Sequence, residues 1–428
     1  MRSATLRVST WAIVFGLILL APGASRAGAT ARSASTARPA PQEASVLVPE
    51  PSETALRYYR GNNWLWCLDE AWALAVPALL LWSGSSARLR NAARALGRHW
   101  LGTIAVYAAL YVALVSSLSL PLHYYQGFWR QHAYGLSNQT FGKWLSDAGK
   151  RTLVSMLLGA LFLWVPYLLI ARSPRRWWLW LGGLLVPYVF AMVLLKPIWY
   201  DPLFNRFGPM QDKALEAKIL TLAKRAGISG ARIFQVDKSR DTKTVNAYVT
   251  GFLGTKRIVL WDTLLAKLDD DEILCVLGHE MGHYVLNHVA IGTFASCVLT
   301  LIGLYFVHTA SRPLIRRYSR RFGFNCLADV ASVPLLVLLG QLFALAMTPA
   351  TNAFSRGLEH EADRFALEIT RANHACASAF VKLQRDNLSI PRPDPLARTW
   401  RWTHPPLGER IDFCNTYHPW TEGDPGIY

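Results

Sequence analysis

Residues 269–288 read DDDEILCVLGHEMGHYVLNH, and this stretch sets both the chemistry and the class of fold. Asp269 followed by Glu272 is a capping pair that starts a helix. On that helix His279 and His283 stand four residues apart, so they share one face. Glu280 lies beside the first of them. This H-E-x-x-H pattern is the arrangement a zinc-dependent hydrolase needs. Two ring nitrogens reach one ion, and the carboxylate takes a proton from a water whose pKa zinc lowers toward ~7. Immediately afterwards, residues 289–307 run without a charge for the length of a membrane crossing. The helix therefore ends at a membrane entry point. H-E-x-x-H also arises by chance on solvated helices, so the rest of the chain has to decide.

The composition favours a membrane protein. The 428 residues are 52% hydrophobic and 17% charged, where soluble domains carry about 25% charged residues. The net charge of +17 comes without a nucleic-acid motif, and the arginines flank apolar runs. The expected partners are thus a lipid bilayer and a polypeptide, with no nucleic acid. Apolar segments at 101–121, 152–171, 177–195, 289–307 and 330–350 are each long enough to cross. A sixth, 63–84, holds Asp69 and Glu70 near its start, where an interfacial position suits them. Six cysteines include no C-x-x-C, so no disulfide framework is expected. Spacing does not argue for any single pair, such as Cys376 with Cys414.

Organisation follows from these segments. Residues 1–29 have the basic start, apolar centre and small-residue end of a signal peptide, or form a first membrane anchor. Residues 30–55, rich in Ala, Ser, Pro and Thr, read as a disordered linker. Transmembrane helices fill 56–198. A catalytic region spans 199–287, two further transmembrane helices and an Arg-rich loop span 288–350, and a second catalytic region spans 351–428. Within 199–287, Leu215, Ile219 and Leu222 mark an amphipathic helix, and strands are expected at 233–237, 245–250 and 257–261, with a turn from Gly251 to Gly254.

A catalytic zinc keeps three protein ligands and one open position. His288, five residues past His283, does not fit the metzincin spacing and reads as an interfacial residue. Glu359 is the better third ligand, with Asp363 four residues on to orient a ligand histidine; His360 and Glu361 are its neighbours and rivals. Two membrane segments separate His283 from Glu359. An even number returns the chain to the same side, so the two helices can meet.

Four motifs in order now resemble one family: Asn246-Ala247-Tyr248 with residues 256–263, His279 to His283, Ser355 to Glu359 with Ala362 and Asp363, and His404 to Arg410. The chain is similar to the integral-membrane zinc metalloproteases of the CAAX prenyl protease type 1 group and their bacterial heat-shock protease relatives. The resemblance implies a mainly α fold. A multi-pass transmembrane helical bundle or barrel would carry a gluzincin-like α+β zinc protease domain with a small sheet. It implies one zinc ion on His279, His283 and Glu359, with Glu280 as general base and Asp363 behind the ligands. Asn246, Ala247 and Tyr248 would pair with an extended substrate as a β-edge. His404 and Arg410 would stand near the site as stabilisers of the oxyanion or as packing.

The expected function is a membrane zinc metalloendopeptidase cleaving membrane-associated or misfolded polypeptides, CAAX-protease-like, with CAAX processing itself left open. The rival is a catalytically idle membrane scaffold or quality-control factor of the same fold, which has no need of Glu280. Arginines mark cytoplasmic loops. They crowd the 85–100, 172–176 and 309–329 connections, whereas both zinc regions share the other side with the sparser 122–151 loop. With a secretory leader, this places the catalytic face on the extracytoplasmic side of a bacterial inner membrane.

Overall fold

The computed structural model describes residues 44–195, 199–228, 230–250, 257–424 and 426–428. The expected leader, the linker up to residue 43 and the glycine turn 251–254 lie outside the described residues. The chain is mostly helical and divides into two units. Over the described residues one unit comprises 61–192 and 293–348, and the other comprises 44–60, 193–292 and 349–428.

The first unit is built from apolar helices. They are α1 (Glu53–Trp82), α2 (Ser85–Gly97), α3 (Trp100–Tyr124), α4 (Phe141–Phe162), α5 (Trp164–Arg172) and α6 (Trp177–Leu195). Among the described residues five helical stretches are long and apolar enough to cross a membrane: Glu53–Trp82, Trp100–Ala133, Phe141–Arg172, His288–Phe322 and Val330–Thr370. The expected span at 177–195 is helix α6, whose side chains from residue 189 onward lie outside the described residues. Leu153, Leu157 and Leu161 recur at helical spacing, each more than half exposed. An apolar stripe of that kind suits hydrocarbon rather than water. Inside the unit Tyr107, Tyr167 and Trp177 pack with Leu81, Phe322 and Leu335.

Asp69 and Glu70, expected at an interface, each have a polar partner. Helix α1 begins at Glu53, ten residues before the apolar run, so the two acids fall at mid-helix. Asp69 is buried and accepts a hydrogen bond of 2.8 Å from the Gln126 amide. Glu70 accepts one of 2.8 Å from Gln341. Buried carboxylates need such partners. Gln126 sits in a π-helical turn, Tyr125–Trp129, that extends α3.

The second unit holds a four-stranded mixed sheet: β1 (Phe207–Pro209), β2 (Arg232–Val236), β3 (Ala247–Thr250) and β4 (Arg257–Trp261). The spatial order is β1-β2-β4-β3, with β2 parallel to β4 and the other two pairs antiparallel. Helix α7 (Lys213–Arg225) packs Leu215, Ile219 and Leu222 against Ile233, Ile258 and Leu260 of the sheet. Helices α8 (Asp270–Val285), α9 (His288–Phe322), α10 (Val333–Thr370), α11 (Asn373–Asp386) and α12 (Leu407–Thr416) complete the chain.

Part of the expected disordered linker is ordered. The Asn415 side chain donates to the Val46 carbonyl at 2.8 Å and accepts from the Val46 amide at 3.0 Å. Val46 and Val48 pack onto the cluster formed by Cys376, Phe380 and Ile411. Two alternate valines in a polar stretch were enough to seat it, a signal too short to register as periodicity.

Candidate metal centre

Helix α8 carries the metal motif because its ends and one face are fixed by sequence. Asp269 and Glu272 form a reciprocal capping box at 3.0 Å and 2.9 Å. Glu272 also accepts from Ser378 and Lys382 of α11, which ties the start of α8 to its neighbour. The opposite requirement is close approach to α10, and the two glycines of the motif meet it. A Cβ on Gly282 would stand 3.2 Å from the Ala362 Cα and from Phe365, and one on Gly278 would stand 3.3 Å from the Ala366 Cα. Glycine facing alanine along this seam lets the backbones near each other, and Glu359 of α10 thereby reaches the two histidines of α8.

Three donor atoms converge there. The Nε2 atoms of His279 and His283 are 3.2 Å apart, and the Glu359 Oε2 lies 3.2 Å from the first and 3.5 Å from the second. A tetrahedral ion with bonds of about 2.0–2.1 Å separates its donors by about 3.3–3.4 Å. The triangle therefore fits such an ion. The Glu359 Oε2 is buried and accepts no hydrogen bond, although both ring nitrogens are close. A buried carboxylate oxygen facing two imidazole nitrogens fits a cation, the alternative partner being a protonated ring. His360 and Glu361, the rivals for ligand duty, are engaged elsewhere. His360 packs on Phe413, and Glu361 accepts from Arg364 and Tyr428.

Behind His279 stands a charged pair. Its Nδ1 lies 2.8 Å from the Asp363 Oδ1. Arg410 of α12 grips Asp363 with Nε at 2.8 Å and Nη2 at 2.5 Å, and its guanidinium stacks 4.0 Å over the Phe380 ring. Burial disfavours a charged His279, but the charge and hydrogen bond of Asp363 outweigh it and lift the ring to about 10. A carboxylate partner makes the ring a stronger ligand and fixes its orientation. Glu280 follows on the helix. Burial raises its carboxyl above the ordinary range, against the lowering charge of the two histidines.

His404 and Arg410, expected together beside the reaction, part company. The His404 Nε2 lies 3.2 Å from the Glu359 Oε1, its side chain is 39% exposed, and its Nδ1 meets the Thr403 hydroxyl at 2.9 Å. Arg410 is buried with its fork occupied by Asp363, on the far side of the His279 ring. At the other candidate subsite, β3 carries Ala247 and Tyr248 at one edge of the sheet, and the Asn246 carbonyl accepts from the Trp261 amide at 3.2 Å.

Two features escaped the sequence reading. Cys275, one turn ahead of His279, forms a disulfide with Cys376 of α11, with a Cα–Cα distance of 5.4 Å; Cys414 is a buried free thiol. His288, at the first residue of the apolar helix α9, is also buried against the site, and its Nδ1 lies 3.1 Å from the Nδ1 of His283. Asn287, directly after the periodic helix, was the one signal that pointed to the turn behind this contact.

The profile of peptidase family M48 matches residues 209–417, and that of the CAAX prenyl protease N-terminal region, five membrane helices, matches residues 31–206. An uncharacterized metalloprotease of Bacillus subtilis, YhfN, is 36% identical over 370 residues, 86% of each chain. The chain belongs to peptidase family M48. CAAX prenyl protease 1 of Saccharomyces cerevisiae is 30% identical over 346 residues, 76% of this chain and 75% of that one. The crystal structure of S. mikatae Ste24p superposes with a TM-score of 0.76 at 25% identity, covering 85% of this chain and 88% of that one. As an M48 member with membrane helices, the protein is an integral-membrane metalloprotease, a hydrolase of peptide bonds acting with a metal ion.

Proposed function

We propose that His279, His283 and Glu359 hold one zinc ion and that the enzyme is an endopeptidase using Glu280 as its general base. The observation that carries this reading is the donor triangle with its orphaned Glu359 oxygen. Two nitrogens and one carboxylate oxygen at tetrahedral spacing suit zinc. When bound, the ion supplies Lewis acidity toward the scissile carbonyl and the attacking water. Glu280 takes a proton from that water and hands it to the leaving amine. Its raised pKa suits both halves of that task. His404, whose Nε2 lies 3.2 Å from the Glu359 Oε1, would turn that N–H to the oxygen that gains charge in the transition state. Arg410 acts at one remove, by holding Asp363 and so the His279 ring. Residues 246–248 offer the β3 edge to an extended substrate, giving backbone affinity without strong side-chain choice.

Such an edge suits membrane-associated or misfolded polypeptides. The catalytic unit is assigned to the extracytoplasmic side of a bacterial inner membrane. Arginine density supports that side, and so does the Cys275–Cys376 disulfide, because disulfides persist in oxidising compartments. The test is Glu280→Gln in the purified full chain. Metal content should stay at one zinc per chain while peptide cleavage falls about 10²–10⁴-fold, the usual worth of a general base. Metal retained with unchanged turnover would remove Glu280 from the mechanism, and an absence of metal in the wild-type protein would remove the whole reading.

A further inference from the structure

We propose that His288 is a positioning residue for the metal centre, accepting the Nδ1 proton of His283 and so fixing the tautomer that presents Nε2 to the ion. The inference rests on the metal-centre reading above and extends it.

The proton on the His283 ring has one place to go. Its Nε2 is the atom that faces His279 and Glu359. A nitrogen that ligates a metal cannot carry a proton, so in the neutral ring the proton sits on Nδ1. A buried N–H needs an acceptor. For His279 the corresponding acceptor is Asp363. For His283 the Nδ1 faces the Nδ1 of His288 at 3.1 Å, with the two rings 5.2 Å apart and inclined at 73°. His288 is 6% exposed, so water does not readily substitute for it. The reverse arrangement, with His288 donating, would leave the His283 proton on Nε2 and turn it toward the site.

Local backbone explains how His288 comes to be there. In an unbroken helix a residue five positions on points about 140° away around the axis. The chain does not continue as one helix. Asn287 takes φ 57°, the left-handed conformation that asparagine tolerates best after glycine. The Leu286 amide closes α8 onto the Gly282 carbonyl at 2.9 Å, and the Asn287 amide reaches the Tyr284 carbonyl at 3.3 Å. Helix α9 then starts at His288, with its ring folded back over His283.

The two ligand histidines are thus oriented by different chemistry. Asp363 carries charge but is balanced by Arg410, and His288 serves as a neutral acceptor. Glu359 remains the one uncompensated negative charge among the groups that hold the ion, which preserves the ion's pull on a carbonyl.

The test compares His288→Phe, which fills the site without an acceptor, with His288→Gln, whose amide oxygen accepts. Zinc affinity of the detergent-purified full chain is read by competition with a chromogenic chelator, and the cobalt-substituted protein by its visible spectrum. His288→Phe should weaken zinc binding about 10–100-fold and alter the cobalt spectrum, the usual cost of losing an outer hydrogen bond to a ligand. His288→Gln should remain within a few-fold of wild type. Thermal unfolding of the chelated proteins serves as the folding control. If His288→Phe does not fold, His288→Leu replaces it. Wild-type affinity and spectrum in the variant without an acceptor would overturn the proposal, as would a folded His288→Gln protein that loses as much as His288→Phe. In both cases wild-type zinc binding still stands, so the metal-centre reading survives. A wild-type protein that binds no zinc overturns both.

Discussion

Breaking the Cys275–Cys376 disulfide should loosen the catalytic unit by an amount that the chain's topology bounds. The bridge joins α8 to α11 across 101 residues. In the chain-entropy account a loop of ~100 residues stabilises by about 4.7 kcal/mol and one of ~15 residues by about 3 kcal/mol. The smaller figure is the better guide here. The intervening chain contains α9 and α10, two of the stretches long enough to cross a membrane. A bilayer keeps such helices inserted when the polar regions open, so the unfolded loop explores far less than a free chain of that length. The expected loss is therefore about 3 kcal/mol, roughly a hundredfold in the opening equilibrium.

The assay is limited proteolysis of the full chain in nanodiscs, with and without a reductant, alongside Cys275→Ala/Cys376→Ala. Cleavage within 349–428 should accelerate by roughly that factor in both samples while opening is fast relative to cutting. Metal should leave faster to a chelator, because Cys275 lies one turn from His279. Protein drawn unreduced from cells should resist maleimide at both positions. Modification of both thiols in that sample would refute the reasoning at its root, since it would place the catalytic unit in a reducing compartment. A stability change below about 0.5 kcal/mol would refute the entropic part alone.

Two more outcomes are expected. Gly282→Ala places a methyl 3.2 Å from the Ala362 Cα and Phe365, so α8 and α10 must separate by a few tenths of an ångström. That overpacking costs about 1–3 kcal/mol, and a thermal melt with a chelator titration should show lower stability and weaker metal binding together. Glu280→Gln should stabilise the metal-free protein at neutral pH. Burial raises the folded-state pKa of Glu280, so between the unfolded and folded values the native state binds more protons than the unfolded one, and stability falls as pH rises. Melts of the chelated proteins against pH should show this fall in wild type and a smaller one in the variant. Parallel curves would contradict it.

Short-range signals made much of this protein legible. The capping pair, the i,i+4 histidines and the period of α7 each lie within one element, and each appears where the pattern put it. The apolar runs were legible because a hydrocarbon slab demands length and tolerates little charge. Glu359 stands out through its i,i+4 spacing with Asp363, and the parity of membrane crossings, a constraint that acts at long range without contact detail, is consistent with it. What stayed hidden depends on side chains meeting across the fold. Cys376 paired with Cys275 and not Cys414, and only the packing of α11 on α8 decides between them. Arg410 pairs with Asp363 beside the Nδ1 of His279, a meeting of three elements that no local pattern announces. The contact of His288 with His283 depends on one left-handed residue, Asn287, which no periodicity announces.

The same packing bears on why the site is a metal centre and not merely a cluster of polar residues. The glycine and alanine seam between α8 and α10 presses three lone-pair atoms to within 3.5 Å of one another. Without a cation the three acceptor atoms face one another unless a histidine ring takes up a second proton, and burial of an unsatisfied acceptor costs about 1–3 kcal/mol. A scaffold relieved of catalysis would gain stability by replacing Glu359 with an apolar residue and Glu280 with a glutamine. This chain keeps both carboxylates, and each histidine of the motif has a polar partner behind it, Asp363 at His279 and His288 at His283. Groups that cost stability when alone and become satisfied together around an ion make metal binding and folding of the catalytic unit a single equilibrium. That coupling is what an enzyme needs and what an idle relative would be free to lose.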